Sequence, residues 1–203
     1  MLYYETLGPD TLRLLENLQS LPFLEQARLV GGTALALQIG HRKSVDLDFF
    51  GSISASAEEM KEALSANHTI SSIKEAQNIN MFLVDSVKVD FVNYRYNWID
   101  DVVIEGYLRL ASIMDIAAMK IYAIIGRGTK KDFIDMFFLL QRFSLEDILD
   151  FYVKKYPDGS LFMALKSLSY FDDAEGDPMP KMLEQVSWEQ VKDAIGEAIR
   201  KLP

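Results

Sequence analysis

The chain has 203 residues, of which 49% are hydrophobic and 25% are charged, an ordinary composition for a globular protein. Its formal charge of −9 repels a nucleic-acid backbone, so DNA binding is not expected and any RNA would have to meet a local basic patch. The absence of cysteine excludes disulfides and thiolate metal sites, and the 2 histidines are too few for a histidine-rich zinc site. A bound metal would therefore take oxygen ligands, which favours Mg²⁺ or Mn²⁺.

No segment of the sequence predicts a secretory or membrane protein. The N-terminus lacks a basic stretch followed by an apolar run, and no apolar stretch approaches the ~18 residues that span a bilayer. We therefore expect a cytoplasmic protein with no membrane partner.

The N-terminal region alternates helices and strands. Leucines at helical spacing over residues 10–20 predict an amphipathic helix, and Ala27–Val30 is a short apolar strand. After Gly31 and Gly32 the pattern predicts a helix over Thr33–Ile39. The remaining predictions before residue 111 are a strand over Val45–Phe50, a helix opened by a capping box at Ser56 and Glu59 and running to about Ser65, strands over Ile79–Val84 and Val87–Asn93 joined by a tight turn at Asp85 and Ser86, and an edge strand over Val102–Leu110.

From residue 112 onward the pattern is helical. The spacing of capping boxes recurs three times, at Ser112 with Asp115, Ser144 with Asp147, and Ser187 with Gln190. Gly126 and Gly128 end the first of these helices, and residues 131–141 form another. The acidic stretch 172–180, which contains proline and glycine, predicts a loop. The fold class is therefore α/β (α+β), with a boundary near Ala111.

Three aspartates are the candidate catalytic residues. Asp46 and Asp48 stand at i and i+2 on a strand and so point the same way, and Asp90 lies on a neighbouring strand. Such a group can hold two divalent ions, which a transfer from a nucleoside triphosphate uses to neutralise the phosphates, activate the attacking oxygen and steady the pyrophosphate. An isolated Asp-x-Asp is more often a solvated face, so this motif alone leaves both interpretations open.

The glycine pair is the candidate phosphate site. Gly31 and Gly32 leave the backbone bare where a helix begins, so its N–H groups and positive dipole end can receive phosphate oxygens. Thr33 adds a hydroxyl, or serves as the helix N-cap. A lone Gly-Gly pair is more often only a turn, but a Gly-Gly helix start followed by Asp-x-Asp and a further strand-borne aspartate is far more specific.

These motifs resemble those of a known family. The run GGTALALQIGHRKSVDLDFF resembles the AbiEii/AbiGii toxin-type members of the polymerase-β-like nucleotidyltransferase superfamily. The resemblance continues in the helical half, where the family's Lys and Asp-x-x-Asp motifs are matched by residues 115–120, Arg127, Lys131, Asp132 and Asp135. The resemblance covers roughly residues 27–140. It implies a nucleotidyltransferase domain over residues 1–111, with a mixed sheet and flanking helices, and a helical domain over residues 112–203 that completes the active-site cleft.

The resemblance also implies an activity and a role for each matched residue. The activity is the metal-dependent transfer of a nucleoside monophosphate from a nucleoside triphosphate to an acceptor hydroxyl, with two Mg²⁺ or Mn²⁺ ions. Asp46 and Asp48 would be metal ligands, and Asp90 would be the third, base-like carboxylate. Lys120 would contact the triphosphate, and Asp132 would be a supporting functional residue. Family members are toxins of toxin–antitoxin pairs and some add nucleotides to tRNA ends, so a tRNA or protein acceptor and an antitoxin partner are implied.

Several basic residues have two open interpretations. Arg42 could neutralise phosphate, or pair with Asp46 or Asp48 when no nucleotide is bound. Arg127, with Lys130 and Lys131, forms a basic cluster between two helices that either stabilises the helix ends or binds phosphate or RNA. His41 is expected to be structural.

Other features leave the substrate open. Tyr94, Tyr96 and Trp98 alternate after the Asp90 strand, which is typical of core packing and also compatible with base stacking. The acidic composition favours an alternative acceptor, a small hydroxylated molecule such as an antibiotic. A catalytically silent binding protein that keeps the fold is a further alternative. We also expect the three acids to repel one another and raise at least one carboxyl pKa.

Overall fold

The structure is a computed structural model that describes residues 1–202. Within these residues the strands form one mixed sheet of seven strands. The strands are β1 (Ala27–Val30), β2 (Leu47–Gly51), β3 (Ile70–Ala76), β4 (Ile79–Val84), β5 (Val87–Asn93), β6 (Val103–Glu105) and β7 (Leu108–Leu110). Their order across the sheet is β3-β4-β5-β2-β1-β7-β6. In this order β1, β2 and β5 lie at the centre of the sheet. The β2–β5 and β1–β7 pairs are parallel, and the other pairs are antiparallel.

Helices precede, interrupt and follow the sheet. They are α1 (Pro9–Gln19), α2 (Gly31–Ile39), α3 (Ala57–Ser65), α4 (Ile113–Gly126), α5 (Lys130–Leu140), α6 (Leu145–Lys155), α7 (Leu161–Leu168), α8 (Asp172–Glu175) and α9 (Trp188–Arg200). The capping boxes predicted at Ser56, Ser144 and Ser187 are confirmed. At Ser112 only half of the box forms, because the Asp115 carboxylate instead accepts from Ile99 N–H and Lys155 Nζ.

One prediction about the strands was wrong, and one strand was not predicted. Val102–Leu110 is not a single edge strand but the β6–β7 hairpin, which turns at Gly106 with a φ of +61°. Of the two hairpin strands only β6 lies at an edge of the sheet, because β7 pairs with β1. The edge strand β3 was not predicted, since most of its side chains are exposed and its apolar residues do not alternate. It is held by backbone pairing with β4.

The helical region also departs from the predictions in detail. Helix α7 was not predicted, and the predicted loop over residues 172–180 begins with the short helix α8. Residues 181 and 182 pair through their backbone with the turn before β2. Lys43 N–H donates to the Lys181 carbonyl, and Arg42 and Met182 form an isolated antiparallel β-bridge.

Buried apolar side chains from both regions form one continuous core. Leu29 and Phe49 of the sheet belong to the same cluster as Ile116, Phe133 and Ile148 of the helices. The expected α/β (α+β) class is confirmed, whereas the division into domains 1–111 and 112–203 stays a prediction. None of the helices in the described part of the chain combines the length and the apolarity that crossing a lipid bilayer requires.

Candidate active site

Gly31 joins β1 to α2 directly beside the carboxylate of Asp48. Val30, the last residue of β1, pairs with Asp48 in the antiparallel β1–β2 ladder. The chain therefore leaves β1 and enters α2 beside Asp48. Gly31 has a φ of +69°, which L side chains rarely adopt, and a Cβ there would overlap Asp48 Oδ2. A Cβ at Gly32 would likewise overlap the guanidinium of Arg42. The helix start therefore needs both glycines, and α2 begins at Gly31 rather than at the predicted Thr33.

Asp48 and Asp90 face each other across the parallel strands β2 and β5. They are direct register partners in that ladder. Asp90 Oδ2 accepts a hydrogen bond of 2.6 Å from Lys88 Nζ, while its buried Oδ1 has no partner among residues 1–202. Burial, and then the charge of Asp90, raise the pKa of Asp48 from its ordinary 3.8 to about 6, with Lys88 opposing the rise. The expected repulsion between the acids is therefore present at Asp48.

Asp46 lies one residue before β2, not inside the strand as predicted. Its side chain is 36% exposed and lies 3.6 Å from Lys131 Nζ. Its main-chain carbonyl accepts a hydrogen bond from the buried hydroxyl of Thr33, which also lies 2.7 Å from Ser44 Oγ. Thr33 is therefore not the N-cap of α2, a position that Val30 occupies, and its hydroxyl fixes the approach to β2.

The carboxylates suit a divalent cation, although they do not form a finished cage. Among residues 1–202 no three acidic or histidine side chains are grouped closely enough to hold a metal ion as they stand. Asp48 and Asp90 nevertheless offer hard oxygen ligands on adjacent strands, and one of those oxygens, Asp90 Oδ1, is buried without a partner. A divalent cation would also remove the repulsion that raises the Asp48 pKa. Asp48 and Asp90 are therefore chemically suited to Mg²⁺ or Mn²⁺, and Asp46 is a more exposed carboxylate in the same cleft.

A buried ion cluster lies behind the glycine pair and centres on Asp135. It consists of the buried side chains of His41, Arg42, Lys120, Asp132 and Asp135, and the more exposed Arg127 is joined to it through Asp132. Asp135 accepts from Arg42 Nε at 2.7 Å and Nη2 at 2.9 Å, from His41 Nε2 at 2.7 Å, and lies 2.5 Å from Lys120 Nζ. Of the two interpretations of Arg42, the pairing with Asp46 or Asp48 is not found, because Asp135 accepts from two of its guanidinium nitrogens.

Electrostatics keep this cluster charged despite its burial. Burial alone would raise the pKa of Asp135, but Lys120 and Arg42 outweigh it and hold that pKa well below the ordinary value. Burial lowers the pKa of His41 in spite of its bond to Asp135, so we assign a neutral, structural imidazole at pH 7.

Asp132 ties the end of α4 to the start of α5. Its carboxylate accepts from Lys120 Nζ at 3.0 Å, Arg127 Nε at 2.9 Å and Thr129 Oγ1 at 2.6 Å. Burial would raise its pKa, but Lys120 and then Arg127 lower it below the ordinary value. Lys120 and Arg127, predicted to bind nucleotide, are thus held by Asp132 at the wall of the cleft.

The cleft has two lobes that share Asp48, Lys120 and Arg127. The basic lobe, about 290 Å³, lies beside Gly32 and Asp46. Its exposed or partly buried cations, besides the shared ones, are Lys43, Lys88, Lys131 and Lys181. The aromatic lobe, about 760 Å³, lies beside Asp90 and is walled by Phe50, Tyr94, Tyr96, Tyr122 and Tyr156. Asp90 lines the aromatic lobe and not the basic one.

Sequence reasoning missed part of this cleft. The lysines Lys43, Lys88 and Lys181 line the basic lobe, and none of them belongs to a motif that predicts a role there. Lys181 reaches the basic lobe because the backbone of residues 181–184 pairs with residues 41–43, across about 140 positions of the chain. No local pattern signals that pairing. Tyr122 likewise stands on an apolar helix, α4, whose pattern gives no sign that it lines the cleft.

Comparison with known proteins gives the same family that the motifs suggest. The family model described as "Nucleotidyl transferase AbiEii toxin, Type IV TA system" matches residues 13–201. A relative, protein aq_aa25 of Aquifex aeolicus (strain VF5), is 31% identical over 199 residues, which cover 92% of this chain and 93% of the relative.

Solved structures share the fold at lower identity. JHP933 of Helicobacter pylori is 20% identical, with a TM-score of 0.58 over 96% of this chain and 92% of its own. MenT4, the nucleotidyltransferase toxin Rv2826c of Mycobacterium tuberculosis H37Rv, is 16% identical, with a TM-score of 0.58 over 96% of this chain and 85% of its own. The family match over most of the chain, together with the glycine pair set against the strand carboxylates, establishes that this protein belongs to the AbiEii nucleotidyl transferase toxin family.

Proposed function

We propose that this protein transfers a nucleoside monophosphate from a nucleoside triphosphate to an acceptor hydroxyl in a reaction that depends on Mg²⁺ or Mn²⁺. The observation that carries the proposal is the packing of Gly31 against Asp48, which is itself the register partner of Asp90. This packing puts the bare N-terminus of α2 beside two adjacent carboxylates. A triphosphate and its cations need both features within a few ångströms of each other.

The basic lobe is the proposed triphosphate site. It joins the N-terminal turn of α2 to the ammonium groups of Lys43, Lys131 and Lys181, in a protein whose overall charge is −9. Lys131 is only 3.6 Å from Asp46 and 45% exposed, so it can exchange that partner for a phosphate oxygen. Lys120 and Arg127 add positive charge where the two lobes meet, at the developing charge on the α-phosphate.

In the proposed reaction, the acceptor oxygen forms a bond to the α-phosphorus and the bond from that phosphorus to pyrophosphate breaks. Bound divalent ions, which Asp46, Asp48 and Asp90 would hold, supply charge neutralisation for the phosphates and the leaving pyrophosphate. The hydroxyl proton passes to a carboxylate, for which Asp90 is favoured because it lines the lobe opposite the triphosphate. Asp132 and Asp135 act as positioning residues, since their contacts fix Lys120 and Arg42.

The family supports a biological role as the toxin of a toxin–antitoxin pair. On this proposal the acceptor is a tRNA or a protein, and an antitoxin encoded by a partner gene limits the activity. The acceptor decides how the toxin would act, so it is the first thing to measure.

The test uses four nucleoside triphosphates, each labelled at the α-phosphate, with Mg²⁺ and total cellular RNA and protein. Asp48→Asn serves as the matched control because it keeps the size of the side chain and removes its charge. We expect label in small RNA or in a protein band with the wild type, and none with the variant. A panel of aminoglycosides added to parallel lanes tests the small-molecule acceptor. Nucleotide binding without transfer in any lane would contradict the proposal.

A further inference from the structure

The partly exposed side chain of Lys88 holds the carboxylate of Asp90. The two residues stand at i and i+2 on β5, so their side chains share one face of the strand. Lys88 Nζ lies 2.6 Å from Asp90 Oδ2, and the two side chains are 35% and 14% exposed. The other oxygen, Asp90 Oδ1, is buried and has no partner among residues 1–202. The ammonium group therefore satisfies only half of the carboxylate.

The same ammonium group lies at the border between the two lobes of the cleft. Lys88 lines the basic lobe, whereas its partner Asp90 lines the aromatic lobe. Its charge also acts on the neighbouring carboxylate, because Lys88 opposes the rise in the Asp48 pKa that burial and Asp90 cause. A lysine thus supplies positive charge to the two adjacent strand carboxylates, as a divalent cation bound there would do.

Lys88 is free to change its partner, whereas Lys120 is not. Lys120 is 4% exposed and is fixed between Asp132 at 3.0 Å and Asp135 at 2.5 Å. Lys88 has a single acidic partner among residues 1–202, and its flexible stem borders the basic lobe. Because like charges repel strongly at short range in a partly buried site, a divalent cation on Asp90 would displace the ammonium group. Phosphate oxygens in the basic lobe would then accept its hydrogen bonds.

We propose that Lys88 is the resident counter-ion of Asp48 and Asp90, and that a bound divalent cation displaces its ammonium group onto the triphosphate. This inference rests on the proposed function. The displacement couples the two ligands, because the cation releases Lys88 to the phosphates and the phosphates draw Lys88 away from Asp90. Each ligand then binds more tightly when the other is present, and the effect is reciprocal. Lys88 thus reduces the repulsion in the empty site and makes the cation and the triphosphate bind together.

Binding of the cation alone gives the first test. Mn²⁺ is titrated without nucleotide, and the free ion is measured by electron paramagnetic resonance. Lys88→Met removes the charge and keeps the stem, so it should bind Mn²⁺ about tenfold more tightly than the wild type, whereas Lys88→Arg should stay near the wild type. Lys74→Met is the matched control, because Lys74 lines the same lobe as Asp90 and is not its partner. Equal Mn²⁺ affinities for Lys88→Met and Lys74→Met would overturn the proposal.

Phosphate binding gives the second test, with inorganic tripolyphosphate as the probe because it carries three phosphates without a base. In excess Mg²⁺, Lys88→Met should weaken the calorimetric affinity for this probe about tenfold. In EDTA the loss should be much smaller, because Lys88 must then give up Asp90 with no cation to replace it. An equal loss in both conditions would overturn the displacement.

The failure of this inference and the failure of the proposed function are distinguishable. Mn²⁺ binding that ignores Lys88 contradicts only the role of Lys88. The absence of Mn²⁺ binding in the wild type and in every variant contradicts the metal-dependent transferase, and this inference with it.

Discussion

Replacing Asp135 by Asn should destabilise the protein strongly while hardly changing the shape of the side chain. Both carboxylate oxygens accept hydrogen bonds, Oδ1 from Arg42 and His41 and Oδ2 from Arg42, and Lys120 Nζ lies 2.5 Å away. In either orientation an asparagine amide would place its NH₂ group against one of these donors. Arg42 and Lys120 are 5% and 4% exposed, so their charges would remain buried with too few counterions.

The expected cost follows from that burial. Breaking one side of a buried ion pair costs about 3–5 kcal/mol. For a chain of this size each kcal/mol corresponds to a Tm change of about 2–4 °C, so Asp135→Asn should lower the Tm by roughly 10 °C. Because Lys120 and Arg42 hold the pKa of Asp135 well below its ordinary value, this stabilisation is complete above about pH 4 and is lost only in stronger acid. The Tm difference should therefore be equal at pH 8 and pH 5.

Differential scanning calorimetry at both pH values is the assay. The exposed Asp150→Asn, the same chemical change on α6, is the control and should shift the Tm by no more than about 2 °C. A Tm for Asp135→Asn within 2 °C of the wild type, or a Tm difference that vanishes between pH 8 and pH 5, would refute the reasoning.

Three further predictions concern the cleft itself. Gly31→Ala should reduce the rate of transfer at least ~100-fold, because the new Cβ displaces the Asp48 carboxylate. It should cost only about 1–2 kcal/mol of stability, from the strain of a φ of +69°. A wild-type rate would contradict the close packing of Gly31 against Asp48. In EDTA, Asp48→Asn should raise the Tm clearly at pH 7.5 and much less at pH 4.5. The pKa of Asp48 in the folded protein is about 6, so its charged form destabilises the fold above that pH, by at most ~3 kcal/mol. Equal Tm shifts at both pH values would argue against this raised pKa. Lys131→Ala and Lys181→Ala should each raise the KM for the triphosphate about tenfold, and an unchanged KM in either would remove that residue from the triphosphate site.

The local parts of the fold could be predicted from the sequence. Periodicity gave β4 and β5 to the residue, and capping residues gave the starts of α3, α6 and α9. The closeness of the glycine pair to Asp48 was also predictable from the sequence. The strand that ends at the glycines and the strand that carries Asp48 are joined by only a short helix and a turn. What places Asp90 beside Asp48 is the parallel β2–β5 pairing, which the sequence indicates only through the family resemblance.

The parts that could not be predicted depend on contacts between distant residues. Arg42 pairs with Asp135 across 93 positions, so its nearer candidates, Asp46 and Asp48, were the wrong ones. Tyr94, Tyr122 and Tyr156 come together from just after β5, from α4 and from just after α6, and no local spacing predicts their contact. The edge strand β3 lacks a hydrophobic pattern because backbone hydrogen bonds, not buried side chains, hold it.

The most direct measurement of the central claim compares one nucleoside triphosphate labelled at the α-phosphate with the same nucleotide labelled at the γ-phosphate. The two reactions run in parallel with Mg²⁺ and whichever RNA or protein accepts the label. Nucleotidyl transfer predicts that the acceptor gains label only from the α-labelled nucleotide, with one pyrophosphate released per nucleotide added and neither product formed by Asp48→Asn. Label arriving from the γ-phosphate would show phosphoryl transfer instead and would contradict the assignment of this cleft.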